Sequence, residues 1–422
     1  MSAENRFEYG DFRINLIKSS SGLKELILPI GSIASFSLYE NVNSPGLTGR
    51  IVFAAVDVLG NRGVELYGGE ELVGSIRVPD FPESEIRISF RIRSMQVVKE
   101  SGRAAYKVEL VSFDTLKNET IRLSNRFEGN IATSAEKIFK SLGSKKTIAT
   151  ESTSNKYSFI GNSKRPFDLL TMLTSKAVSS GEKKSPGYFF FETQDQYVFK
   201  SINTLLKGDG DSVVYTQTEA AKENTPNNRF RILTSYVDKN NDILNSLRMG
   251  MYSNSTFFYN MYTNEAKRVD YKLEQKYNKE IETSAQKLTE KYPTLPGNIQ
   301  EFPSRYYVRS LDVGVLDKTG KLSKDTMYPD LPKYQAEAVV RYNLLFSQVL
   351  KITVPCNPSL RAGQVIECRI PETASQMKDK SYQSQNSGRY MISALHHAFS
   401  GRECYTSLEL VRDSYEVKTQ VV

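Results

Sequence analysis

Two stretches near opposite ends of the chain share a spaced set of residues, and this constrains the fold more than any other feature. Ser94 recurs as Ser393, Ser101-Gly102-Arg103 as Ser400-Gly401-Arg402, Tyr106 as Tyr405 and Asp114 as Asp413, each pair 299 positions apart with no gap. In both places the Ser-Gly-Arg triplet separates two runs rich in apolar and β-branched residues, the arrangement of an antiparallel hairpin closed by a tight turn. Arg77-Val78-Pro79 also has a counterpart, at another offset, in Arg369-Ile370-Pro371. Two readings stay open here. Either a β module is duplicated and the material between the copies is an insertion, or two hairpins share turn residues because few residue types suit such turns.

Around these hairpins the chain reads as strands and turns. Strands are expected over 12–17, 25–29, 32–39, 49–58, 71–78, 85–99 and 105–113, with Asn43-Ser44-Pro45-Gly46 and Gly60-Asn61-Arg62-Gly63 as turns. The same style returns over 336–342, 349–354, 364–370, 388–399 and 403–411. The 24 Tyr and 21 Phe support it, since aromatic side chains pack well on a pleated surface. At 422 residues the chain is too long for one core, so several domains are expected.

The middle changes character. Ala135, Ile138 and Phe139 fall on one face of a helix over 133–142, and Phe167, Leu170, Leu173 and Ala177 on one face of a helix over 166–177, with Pro166 in its first turn. A hairpin follows over 187–193 and 197–202, then a turn at Gly208-Asp209-Gly210-Asp211 and a strand over 229–237. A helix over 241–252 and a hairpin over 256–262 and 267–273 come next. Residues 275–334, punctuated by Pro293, Pro296, Pro303, Pro329 and Pro332, read as extended or loop-rich. The run Tyr188-Phe189-Phe190-Phe191 requires cover on both faces of its strand, either as a doubly buried core strand or with one face at a subunit interface.

No catalytic constellation emerges. His396 and His397 are adjacent on a strand, so their rings point to opposite faces and cannot chelate one metal together. Cys356, Cys368 and Cys404 are odd in number and widely spaced, which fits neither a disulfide framework nor a zinc site and implies a reducing compartment. There is no Gly-x-Ser-x-Gly elbow and no phosphate loop, and Gly208–Asp211 lacks the later ligands of a calcium loop. No cofactor or metal is expected. The surplus of 56 Lys and Arg over 48 Asp and Glu is modest, and Lys145-Lys146 and Lys183-Lys184 read as solvated loop charges. Neither a signal-peptide core nor a membrane-spanning run is read in the sequence.

Arg165-Pro166-Phe167-Asp168-Leu169-Leu170-Thr171-Met172-Leu173, the Tyr188–Phe191 hairpin, and Asn245–Tyr252 with Met249, Gly250, Met251 and Tyr252 ahead of Val269-Asp270-Tyr271 together resemble a pattern of contractile injection systems. The chain resembles the central baseplate hub of T-even-like phages and, more distantly, the hub part of type VI secretion spikes. This implies an α+β, β-dominated fold with two tail-tube-like antiparallel β-barrels plus an inserted α+β region. The barrels would comprise 1–115 and, discontinuously, 229–243 with 335–415; 116–228 and 244–334 would form the inserted domain, and 416–422 a C-terminal tail. The implied role is a non-enzymatic homotrimer of pseudo-sixfold symmetry, joining a sixfold tail tube to a threefold spike and passing DNA through its channel. Implied partners are a separate central spike, tail tube or tube-initiator proteins, and tape-measure and baseplate wedge proteins. The implied location is the virion tail baseplate, after synthesis in the host cytoplasm. A tail-associated peptidoglycan hydrolase and a carbohydrate-binding β module are the competing readings.

Overall fold

The computed structural model describes residues 11–17, 26–54, 66, 68–100, 103–181, 184–208, 212–218, 228–240, 242–261, 264–272, 303–311, 314–315, 330–371, 386–400 and 403–413. The first strand module comprises β1 (Asp11–Ile17), β2 (Leu26–Leu28), β3 (Ile33–Asn41), β4 (Thr48–Ala54), β5 (Glu71–Arg77), β6 (Glu85–Glu100) and β7 (Arg103–Val111). Their sequence alternation becomes an alternation of faces. Phe36 and Leu38 of β3, Ile51 and Phe53 of β4, Ile86, Ile88, Phe90 and Ile92 of β6, and Val108 and Leu110 of β7 enter one core. Each such burial contributes about 1.5–3 kcal/mol before conformational entropy is counted.

Next come α1 (Phe113–Thr120), β8 (Arg126–Phe127), α2 (Ile131–Leu142), β9 (Thr147–Thr150), β10 (Phe159–Ile160), α3 (Pro166–Thr174), β11 (Tyr188–Glu192), β12 (Gln196–Ser201) and α4 (Ile202–Lys207). The faces expected of the two helices are realised. Ala135, Ile138 and Phe139 of α2 and Phe167, Leu170 and Leu173 of α3 pack with Tyr188, Phe190, Tyr197 and Phe199 in a second core. Val213–Thr216 (β13), within the bounds the resemblance implies for the inserted domain, pairs in parallel with Val365–Arg369 (β19).

One expectation in this part of the chain is corrected. The strand expected over 336–342 is part of a helix, α6 (Leu331–Leu345). Pro332 stands in its first turn, and it is buried along Leu331, Ala336, Ala338, Val340, Leu344 and Leu345, so the apolar run carries no clear period. Within the proline-punctuated segment, Arg305–Ser310 (β17) is a strand. It runs parallel to β15 (Ser253–Asn260), whose other neighbour is β16 (Glu265–Lys272). Most of 275–334, together with Gly60–Gly63, Lys183, Asp209–Asp211 and 416–422, lies outside the described residues. The helix expected over 241–252 is shorter, α5 (Ile243–Arg248), capped by the Asp242 carboxylate on the Asn245 amide.

The second module contains β14 (Thr234–Asn240), β18 (Gln348–Pro355), β19 (Val365–Arg369), β20 (Gly388–Ser400) and β21 (Glu403–Arg412). Its strand order β14-β18-β21-β20-β19 repeats β3-β4-β7-β6-β5. The two modules fuse where β20 pairs with β3, making one 13-stranded sheet. Among the described residues, none of its pairings closes this sheet into a ring.

Candidate assembly site between the strand modules

The repetition is more detailed than strand order, and its true offset differs from that of the sequence match. In β6–β7, Ile92 faces Leu110, one residue bulges, and Ser94 faces Glu109; in β20–β21, Ile392 faces Leu410, one residue bulges, and Ala394 faces Glu409. The hairpins end on Glu100↔Arg103 and Ser400↔Glu403. Equivalent positions are therefore 300 apart, one more than the identical residues. Because a one-residue slip reverses the face, the matched tyrosines are not equivalent: Tyr106 stacks on Phe53 at the edge of the core, whereas Tyr405 is exposed and meets the His396 ring edge-on. Ser101, Gly102, Gly401 and Arg402 lie outside the described residues; Arg103 opens β7 and Ser400 closes β20. Ser94 and Ser393 reach the same acceptor position from adjacent sites, donating to the Glu109 and Glu409 carboxylates at 3.2 and 2.8 Å.

A shared backbone device sets this register. The Gly69 amide donates to the Ile92 carbonyl and the Ile92 amide to the Glu70 carbonyl, at 2.9 and 3.0 Å. Gly363, Ile392 and Gln364 repeat both bonds at 2.8 Å. Gly69 and Gly363 hold φ of 85° and 83°, a region that favours glycine.

Where the modules meet, Glu40 of β3 is buried and binds two other parts of the chain. Its carboxylate accepts the Gln194 amide of the β11–β12 turn at 2.8 Å and the Ala362 amide ahead of β19 at 2.9 Å. Burial pushes its pKa up to about 7, against the opposing pull of Arg361, the two amides and Lys146. Beside it, the buried Glu192 carboxylate accepts the Leu47 amide at 2.9 Å and pairs with the Lys146 ammonium at 2.7 Å. The sequence reading of Lys146 as a solvated charge is corrected here, because a buried carboxylate needs a counter-charge. Arg361 pairs with Asp195 at 2.7 Å across the same junction. No sequence signal marked Glu40 or Glu192, since an isolated carboxylate in a strand carries no local signature.

The aromatic run divides between two cores. Tyr188 and Phe190 face the helices of the insertion, while Phe189 and Phe191 face a third cluster with Leu345 of α6 and Val349, Met391 and Val411 of the second module. The strand is buried on both faces within one chain. Arg165 stands just ahead of α3, forking to Asp168 and Glu119 at 2.8 and 2.6 Å, which holds its pKa above the usual guanidinium value. Pro166 begins α3, and the Phe167 amide donates to the Asn118 side chain at 2.8 Å. Met249–Tyr252 forms the turn after α5. Met251 and Tyr252 are buried there, Met249 is exposed, and Gly250 passes so close to Arg305 that a Cβ would lie 2.7 Å from the Arg305 Cβ.

The histidines behave as strand alternation requires. His397 is buried, hydrogen-bonded at Nδ1 to Thr406 at 2.9 Å and depressed to a pKa of about 3 by burial, whereas His396 stacks on Tyr39 at 4.4 Å. The three cysteines are buried and no disulfide joins them. Among the described residues, no three His, Cys, Asp or Glu side chains group as a metal site, and no helix is long and apolar enough to cross a membrane. What the geometry builds is a packed junction of buried carboxylates, backbone amides and aromatic rings.

No protein-family model matches the chain, and no curated protein matches it by sequence. Its fold, however, is that of phage tail proteins. A tail protein from Neisseria meningitidis MC58 superposes with TM-score 0.55 at 11% identity, over 95% of this chain and 97% of that one. The 43 kDa tail protein of prophage MuSo2 from Shewanella oneidensis gives TM-score 0.56 at 9% identity, over 96% and 100%. At the level of fold this agrees with the resemblance read from the motifs.

Proposed function

We propose that the chain is the structural hub of a contractile phage-tail baseplate, a homotrimer whose six strand modules form a pair of tube-like barrels per copy around a channel. One observation carries this reading: the same five-strand order, bulge and glycine-set register occur twice in one chain, so three copies present six similar units to a sixfold tube while keeping threefold symmetry for a spike. The shared fold with phage tail proteins supports it. In this reading the partners are the chain itself, a central spike, tube or tube-initiator proteins, and tape-measure and wedge proteins in the virion, with DNA only in transit. The protein does no chemistry in this role; it works through area and symmetry.

The test is the particle's mass and shape. Light scattering of the full chain, alone and with its spike, is expected to report three copies of the 47.7 kDa chain, and electron images a three-lobed ring with a central hole. A single-chain mass under both conditions would sink the reading. Clearing of purified cell wall by the protein would replace it with a peptidoglycan hydrolase, and glycan-array binding with a carbohydrate-binding module.

A further inference from the structure

The chain joins its two modules through one strand contact, and the same contact can be made again between copies. Within the chain β3 lies against β20, with His397 opposite Leu38 and Ala398 opposite Ser37. The 300-position equivalence of the hairpins makes Val97 and Val98 of β6 the counterparts of His397 and Ala398. On the other side, Leu38 faces Gly49, which faces Leu110; Val237 faces Leu350, which faces Leu410. Val237 of β14 therefore stands where Leu38 stands, and Tyr236 where Ser37 stands.

The second half of each junction is left open. Among the described residues β14 ends the sheet, and 94–100 of β6 pair with β7 alone, because β5 and the residues before it reach only to Ile92. Both open edges carry apolar side chains in water: Val97 is 47%, Val98 49% and Tyr236 64% exposed, whereas the counterparts in the closed junction, His397 and Ala398, are 1% and 5% exposed. Folded proteins ordinarily cover or charge such edges.

We infer that β14 of one copy pairs antiparallel with 94–100 of β6 in a second copy, setting Val98 opposite Tyr236 and Val97 opposite Val237. Each copy offers one edge of each kind, so the contact is heterologous and repeats head to tail until a ring closes. Only the number of copies rests on the hub reading, in which three such contacts alternate with three internal ones.

Full-length chain carrying Val98→Cys and Tyr236→Cys together tests the contact. Opposed strand residues lie about 4.5–5.5 Å apart at Cα, within the roughly 4.4–6.8 Å span of a disulfide. Mild oxidation is expected to give a reducible covalent ladder ending at three chains; neither single variant alone should ladder, and mixing the two should give dimers. Both positions are about half exposed or more, and a circular-dichroism melt confirms that the variants fold. A ladder ending at another number keeps the contact and removes the threefold count. An assembled particle with no ladder from this pair, or from Val97→Cys with Val237→Cys, overturns the contact while leaving the hub reading intact. A single-chain mass both alone and with the spike, and no ladder in either, overturns both.

Discussion

The first and second strand modules share a frame and differ in what covers it. In the second, Gly363 lies under the insertion so closely that a Cβ would stand 2.7 Å from the Phe191 ring. In the first, chain neighbours aside, no described residue comes within 4 Å of where a Cβ on the equivalent Gly69 would stand. The outer half of β20 is sealed by β3, whereas the outer half of β6 faces solvent. At Gly363 and β20 the second module is covered within the chain, while at Gly69 and β6 the first is not, and the second leaves β14 as its own open edge. The frame is the same in both, and cover makes them different.

Four measurements break or sharpen this contrast, beginning with the largest effect. Phe191→Ala is expected to cost about 3–5 kcal/mol in denaturant unfolding, because a fully buried ring leaves a cavity between insertion and second module. Hydrogen exchange should then rise in β11 and β19 and stay unchanged in β5 and β6; equal loosening of both modules would erase the contrast. Glu40 comes next. Its folded pKa of about 7 against an ordinary 4.5 means that the folded chain binds the proton more tightly than the unfolded one. Its contribution is fully present below about pH 4.5 and is lost as pH rises through 7, a change on the order of 3 kcal/mol. Glu40→Gln should remove that slope from the pH profile of the melting midpoint, and an unaltered slope would assign it to another group.

The glycines give the direct comparison. Gly363→Ala is expected to destabilise by about 2–3 kcal/mol, combining left-handed backbone strain with overpacking against Phe191. Gly69→Ala meets the backbone strain alone and should cost only about 1–2 kcal/mol. Equal costs at the two sites, measured by urea unfolding, would show that cover does not distinguish the modules.

Much of the strand pattern was legible because alternation has a period of two and the turn residues punctuate it. The two amphipathic helices of the insertion were legible for the matching reason, since one face of each is apolar. The run Ala336–Tyr342 was not: burial on several sides of α6 left its apolar residues without a helical stripe, and only Asp330 and Pro332 hinted at a helix start. β17 was hidden because proline spacing outweighed a six-residue strand, Arg305–Ser310, whose pairing partner lies some fifty residues earlier at Ser253–Asn260.

The opening similarity shows where sequence and tertiary structure divide their work. By itself the sequence determined that two hairpins of one kind stand at opposite ends of the chain, because alternating side chains and turn-forming residues act over a few positions. It placed them 299 apart, since turn residues can shift by one against the strands they join. Tertiary structure decided the true offset of 300, through bulges and glycine-held amide pairs that bind residues more than twenty positions apart. It also decided that Glu40, Glu192 and Lys146 would meet, since a buried carboxylate finds its partners only when distant segments close around it.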